Sequence, residues 1–132
     1  MGGQAAAWTG LELFVGGGTN CFGDTGSIES YLLDLETSRW RTTAAAPPPF
    51  WGSIRYGTSW TGRSVAVLTN TGAALLYNPT ADRWHNSGSV VAGVDATETP
   101  MAATPTALVL SGMLADGQPH GATYLYPLAP GF

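Results

Sequence analysis

Residues 33–40 read Leu33-Asp34-Leu35-Glu36-Thr37-Ser38-Arg39-Trp40, and residues 77–84 read Tyr77-Asn78-Pro79-Thr80-Ala81-Asp82-Arg83-Trp84. The two octets lie 44 positions apart, and the first matches the second, ending in the same Arg-Trp pair. Upstream, Trp8-Thr9-Gly10 returns 52 positions later as Trp60-Thr61-Gly62. Self-similarity at a near-constant spacing marks a repeat architecture. The two spacings differ because one loop differs: residues 16–30 of the first copy are far more numerous than their counterparts, residues 69–73. A third copy is partial. Residues 106–111 match the apolar run of the earlier copies, and Tyr124-Leu125-Tyr126-Pro127 matches Leu75-Leu76-Tyr77-Asn78. In both full copies a Trp stands seven positions after Leu33 or Tyr77; its third counterpart would fall at 133, so this unit is expected to lack its outer strand.

Within each copy the residues read as strands. Val65-Ala66-Val67-Leu68 is a continuous apolar run, too short for a helix and bounded by turn formers at Gly62 and Asn70-Thr71-Gly72. Ala73-Ala74-Leu75-Leu76-Tyr77 follows directly, so the two runs are expected to form a hairpin. Asn78-Pro79 and the Asp34 to Glu36 stretch mark turns before a last strand at Trp84 or Trp40. Pro47-Pro48-Pro49, and Pro100 with Pro105, punctuate the joins between copies, because proline lacks the amide a strand interior needs.

Phe14-Val15-Gly16-Gly17-Gly18, then Tyr31-Leu32-Leu33-Asp34, then Trp40, resemble a kelch repeat: an apolar strand ending in paired glycines, a Tyr and Asp, and a Trp some residues later. The second copy departs from the pattern, with Thr69-Asn70 where the glycine pair belongs, and the third lacks the Trp. The same pattern occurs in the central domain of galactose-oxidase-type proteins. The resemblance implies an all-β fold of kelch-like β-propeller blades, each a four-stranded antiparallel sheet, with about three blades in a partial propeller or half-ring. The whole chain, 1–132, is then one domain, with approximate blades at 1–47, 48–92 and 93–132. In such blades the aromatic positions fill the space between neighbouring sheets. Trp8, Trp40, Trp60, Trp84, Tyr31 and Tyr77 are therefore expected in the blade core.

Composition narrows the function. The 132 residues are 44% hydrophobic but only 11% charged, against roughly 25% in ordinary soluble domains. All five cations are Arg, the net charge is −4, and the pI is about 4.8. An acidic, lysine-free chain is not expected to bind nucleic acid or to anchor on an anionic membrane. No apolar run reaches the 18 or so residues of a membrane span, and no signal peptide is visible at the start. A cytoplasmic setting is favoured. The single cysteine, Cys21, excludes an internal disulfide and a Cys-rich zinc site.

Motifs with chemical content are few. Phe22-Gly23-Asp24-Thr25-Gly26-Ser27 has the look of an aspartic-protease signature, but such an Asp needs a second Asp and a preceding apolar strand. A turn is the simpler reading. Gly16-Gly17-Gly18 lacks the lysine and helix that complete a phosphate-binding loop. His85 and His120 stand far apart with no ligand spacing around them, so no metal site and no cofactor are expected.

The long connection at 16–30 belongs to one copy only. Binding residues concentrate on loops held by a rigid scaffold. Asn20, Phe22, Asp24 and Glu29 on this connection, with Trp51 outside the repeated positions, are the candidate recognition residues. The expectation is a non-enzymatic binding module for a protein or carbohydrate ligand. The alternatives are a kelch-type enzyme acting on sugars or alcohols, drawing on Asp24, Glu29, Arg55 and His120, or a purely structural half-propeller. Propellers close with 4 to 8 blades. Three blade equivalents thus lead us to expect a homodimer completing a six-bladed ring.

Overall fold

The computed structural model describes residues 2–19, 29–47, 57–69, 72–89, 101–113 and 119–129. Among the described residues eleven strands form three antiparallel sheets, and there is no helix. The first sheet runs β1 (Gly2–Trp8), β2 (Glu12–Thr19), β3 (Ser30–Asp34) and β4 (Arg39–Thr42) in spatial as in chain order. The second repeats this plan with β5 (Thr58–Trp60), β6 (Val65–Leu68), β7 (Ala73–Asn78) and β8 (Arg83–Ser89). The third holds β9 (Met101–Ala103), β10 (Ala107–Met113) and β11 (Pro119–Pro127). The hairpin expected from residues 65–77 is the β6–β7 pair. First strands lie side by side, β1 against β5 and β5 against β9, so the sheets stack like blades around a common edge. The architecture is all-β and consistent with a partial β-propeller.

Local chemistry explains the turns. Thr9, Thr61 and Thr104 each donate a backbone N–H across a tight turn, to the carbonyls of Glu12, Ser64 and Ala107. The Thr9 hydroxyl accepts from Leu11 N and Glu12 N, Thr61 from Arg63 N and Ser64 N, and Thr104 from Thr106 N and Ala107 N. In the first two turns a glycine follows the threonine with φ of 92° at Gly10 and 95° at Gly62, which other residues adopt only with strain. A second repeated turn joins the last two strands. Asp34 Oδ1 accepts from Glu36 N and Thr37 N, and Asn78 Oδ1 accepts from Thr80 N and Ala81 N. Ser38 and Asp82 close these turns in the left-handed region, at φ of 56° and 48°.

Strand pairing puts residues into cross-strand rows that share a face. In the second sheet, Trp60, Val65, Tyr77 and Trp84 form one such row. In the first sheet the same row is Trp8, Leu13, Leu33 and Trp40. We call the face bearing this row the front and the opposite face the back. The back of the first sheet carries Ala7, Phe14, Leu32 and Arg41.

Two apolar seams hold the sheets together. Ala5, Phe14, Leu32 and Ala46 of the first sheet and its trailing segment pack against Val65, Val67, Leu75 and Tyr77, with Trp60 and Trp84 alongside. Phe14 lies 5.7 Å from the Tyr77 ring and 6.1 Å, edge-on, from Trp84. Ala66, Leu68, Ala74 and Leu76 on the back of the second sheet pack against Leu108, Leu110 and Tyr126 on the front of the third. Each seam thus joins the back of one sheet to the front of the next.

This arrangement corrects part of the expected core. Tyr77 is fully buried, and Trp60 and Trp84 pack against it. Trp8 and Trp40 are not core residues: they are 49% and 56% exposed. Tyr31 is half-buried and outside both clusters. The reason is geometric. All three stand on the front of the first sheet, and no described sheet packs there.

Candidate functional site

Polar side chains reinforce the first seam. Arg41 donates from Nε and Nη2 to both carboxylate oxygens of Glu12, each at 3.0 Å, and from Nη2 to the Pro79 carbonyl oxygen at 3.1 Å. Such a fork matches carboxylate geometry, and it raises the Arg41 pKa. Asp82 Oδ1 accepts from the Tyr77 hydroxyl at 2.7 Å and from Ala44 N at 2.8 Å. These two bonds hold the Asp82 carboxyl below its ordinary pKa. Burial and the bond to Asp82 push the Tyr77 hydroxyl far up. This network is structural: Arg41 to Pro79 and Asp82 to Ala44 cross between the sheets, while Glu12 and Tyr77 hold Arg41 and Asp82 in place from within their own sheets.

A different kind of surface lies at the end of the first sheet where β2 leaves for the long connection. Ala5, Ala6, Val15, Gly16, Gly17, Glu29 and Tyr31 line a hollow of about 310 Å³. Ala6, Val15 and Tyr31 form one front-face row. Gly16 and Gly17 expose backbone where other residues would present side chains, and Gly17 takes φ of 69°. Gly16 is fixed by close approach: a Cβ there would meet the Ser30 Cβ at 2.5 Å. Beneath it, Ser30 and Thr43 share a hydroxyl hydrogen bond of 2.5 Å, which draws β3 to the segment after β4.

At the rim of the hollow the Tyr31 hydroxyl donates to Glu29 Oε2 at 2.6 Å. That bond raises the Tyr31 pKa above the usual phenol value, so the hydroxyl keeps its proton at neutral pH. The hollow therefore offers an apolar floor, a phenol ring and a carboxylate. Its chemistry suits a ligand rich in hydroxyl or amide donors with an apolar face.

Of the residues expected to recognise a ligand, Glu29 is placed here by the structure. Asn20, Phe22, Asp24 and Trp51 lie outside the described residues, as do Cys21 and Arg55. His120 stands on β11, and its side chain is outside the described ones. Tyr31, expected in the core, instead faces the hollow beside Glu29. The i, i+2 spacing of Glu29 and Tyr31 was the available signal, since alternate residues of a strand share a face. Among the described residues no group of three His, Cys, Asp or Glu could hold a metal ion, and no helix is long and apolar enough to cross a membrane.

Comparison of the chain with protein-family models finds no match, and comparison with curated proteins finds none either.

Proposed function

We propose that the chain is a non-enzymatic binding module of kelch-propeller type, which takes a carbohydrate or protein ligand in the hollow beside Tyr31. The observation that supports this reading is the position of the hollow. It opens at the foot of the one long connection within a sheet, and its walls are a tyrosine, a carboxylate and bare glycine backbone. Small-molecule sites combine an apolar surface with a few placed polar groups in this way. A sugar ring stacks on a phenol face while its hydroxyls donate to a carboxylate, so carbohydrate is the ligand class the residues match best.

The test is a panel of immobilised glycans and peptides probed with the whole protein, with Glu29→Gln and Tyr31→Ala as comparators. The reading predicts retention of one ligand class, weakened about tenfold or more by either change, a loss of about 1.4 kcal/mol. Retention of nothing on the panel, or retention indifferent to both changes, contradicts it.

A further inference from the structure

The front of the first sheet and the back of the third are built like the two sides of a seam, and among the described residues no sheet covers either. The front row Trp8, Leu13, Leu33 and Trp40 occupies the same register as Trp60, Val65, Tyr77 and Trp84, which are packed against the first sheet. The back row of the third sheet is Ala102, Val109 and Leu125. It matches Ser59, Ala66 and Leu76 of the second sheet, a row whose Ala66 and Leu76 are covered by the third sheet's front. In both existing seams an apolar back meets a front that carries an aromatic: Phe14 and Leu32 against Tyr77, Trp60 and Trp84, and Ala66 and Leu76 against Leu108 and Tyr126. The open pair has the same ingredients, with Trp8 and Trp40 on one side and Ala102, Val109 and Leu125 on the other.

Exposure points to the same two faces. Among the described residues, five large hydrophobic side chains are exposed: Trp8, Leu11, Leu35, Trp40 and Leu125. Trp8 and Trp40 stand on the open front, and Leu125, 70% exposed, stands on the open back. Leu11 and Leu35 stand on the two turns next to the open front row. Clustered exposed apolar groups of this kind mark interfaces on soluble proteins.

Polar chemistry gives the open front its direction. In the covered seam Tyr77 and Asp82 clamp the preceding segment through Ala44. The corresponding residues of the first sheet are Leu33 and Ser38, which leave the open row wholly apolar. An apolar face of this build needs an apolar partner, and the back of the third sheet is one.

We propose that two copies of the chain join head to tail, the front of each first sheet packing on the back of the other's third sheet. Two such seams related by a twofold axis close a ring of six sheets, within the range in which propellers close. The interface repeats the seam the chain already forms twice within itself. It does not rest on the ligand reading; the Tyr31 hollow lies one row along on the same front, where Val15 and Tyr31 hold the register of Val67 and Leu75, which are buried in the covered seam, so a second copy and a ligand compete for it.

The experiment is sedimentation velocity over a wide concentration range on the full chain, on Trp40→Glu and on Leu125→Glu, with circular dichroism and thermal melting to show that both variants fold. Each change places a charge on one open face only. The proposal predicts a wild-type dimer and monomeric variants when each is alone. An equimolar mixture of the two variants restores a 1:1 dimer, weaker than wild type, because one seam of the ring is still intact. A wild-type monomer at every concentration overturns the proposal, as a chain whose neighbouring sheet comes from elsewhere would show. A Leu125→Glu protein that dimerises like wild type overturns it too, since that result means front packs on front.

Discussion

Trp84 donates its indole Nε1–H to the carbonyl oxygen of Ala44 at 2.8 Å, crossing from the second sheet to the segment that follows the first. Trp40 holds the same register position one sheet earlier and stands in solvent. The residue type is the same in both places. What differs is whether another sheet lies opposite.

Substituting the two tryptophans separates these roles. Trp84→Phe keeps an aromatic ring against Phe14 and Tyr77 but leaves the Ala44 carbonyl without its indole donor. We expect a loss of about 1–3 kcal/mol in urea denaturation. Trp40→Phe, measured at a concentration where the chain is monomeric, is expected to change stability by less than about 0.5 kcal/mol, as exposed positions do. Equal losses at the two positions contradict the account of the seam.

The Asp82 carboxyl links that seam to pH. Its pKa is depressed by bonds from the Tyr77 hydroxyl and the Ala44 amide. A group held below its unfolded pKa stabilises the fold above the unfolded value, near 3.9 for Asp. The contribution fades as pH falls through the folded value. Asp82→Asn keeps an acceptor oxygen and tolerates the left-handed backbone at this position. The urea midpoint of the variant should therefore fall less steeply than that of wild type below about pH 4. Parallel acid-side curves count against Asp82 as the source.

Gly16→Ala tests the close approach under the hollow. The added methyl would meet Ser30 where no real Cβ fits, so β2 and β3 must separate. The expected loss is about 1–3 kcal/mol. A variant of unchanged stability would mean that the strands part there without cost.

Ser64 offers the opposite sign. Its hydroxyl is buried and has no hydrogen-bond partner, while its backbone closes the turn with Thr61. In the third sheet Ala107 fills the same turn position and makes the same backbone bonds. Ser64→Ala is expected to leave the turn intact and to raise stability by up to about 1 kcal/mol, because an unpaired buried hydroxyl is a cost. A melting temperature lower than wild type would refute this.

The repeat and its strands were legible because turn chemistry is local. Asp34 and Asn78 reveal their turns by residue type alone, and so do Thr9-Gly10 and Thr61-Gly62. The third copy was harder to see because Pro105 replaces the glycine, and only Thr104 keeps the hydrogen-bond pattern of its counterparts. Burial of the tryptophans was not legible. Trp40 and Trp84 look alike in sequence, and the covering sheet that distinguishes them is a property of the stack. Arg41, Ala44 and Asp82 escaped notice because they meet partners on the neighbouring sheet through backbone atoms, which carry no residue signature. At the hollow, Glu29 could be picked out from the long connection, whereas Tyr31 was drawn to the core by its place in the repeat.

A seam of one build is found twice within the chain and is proposed to form twice more between two copies. Light scattering coupled to gel filtration tests it most directly, by giving the molar mass of the purified protein across loading concentrations. A closed ring predicts a single species of twice the 13.7 kDa chain mass that does not grow as the concentration rises. A species of 13.7 kDa, or a ladder of masses lengthening with concentration, contradicts it.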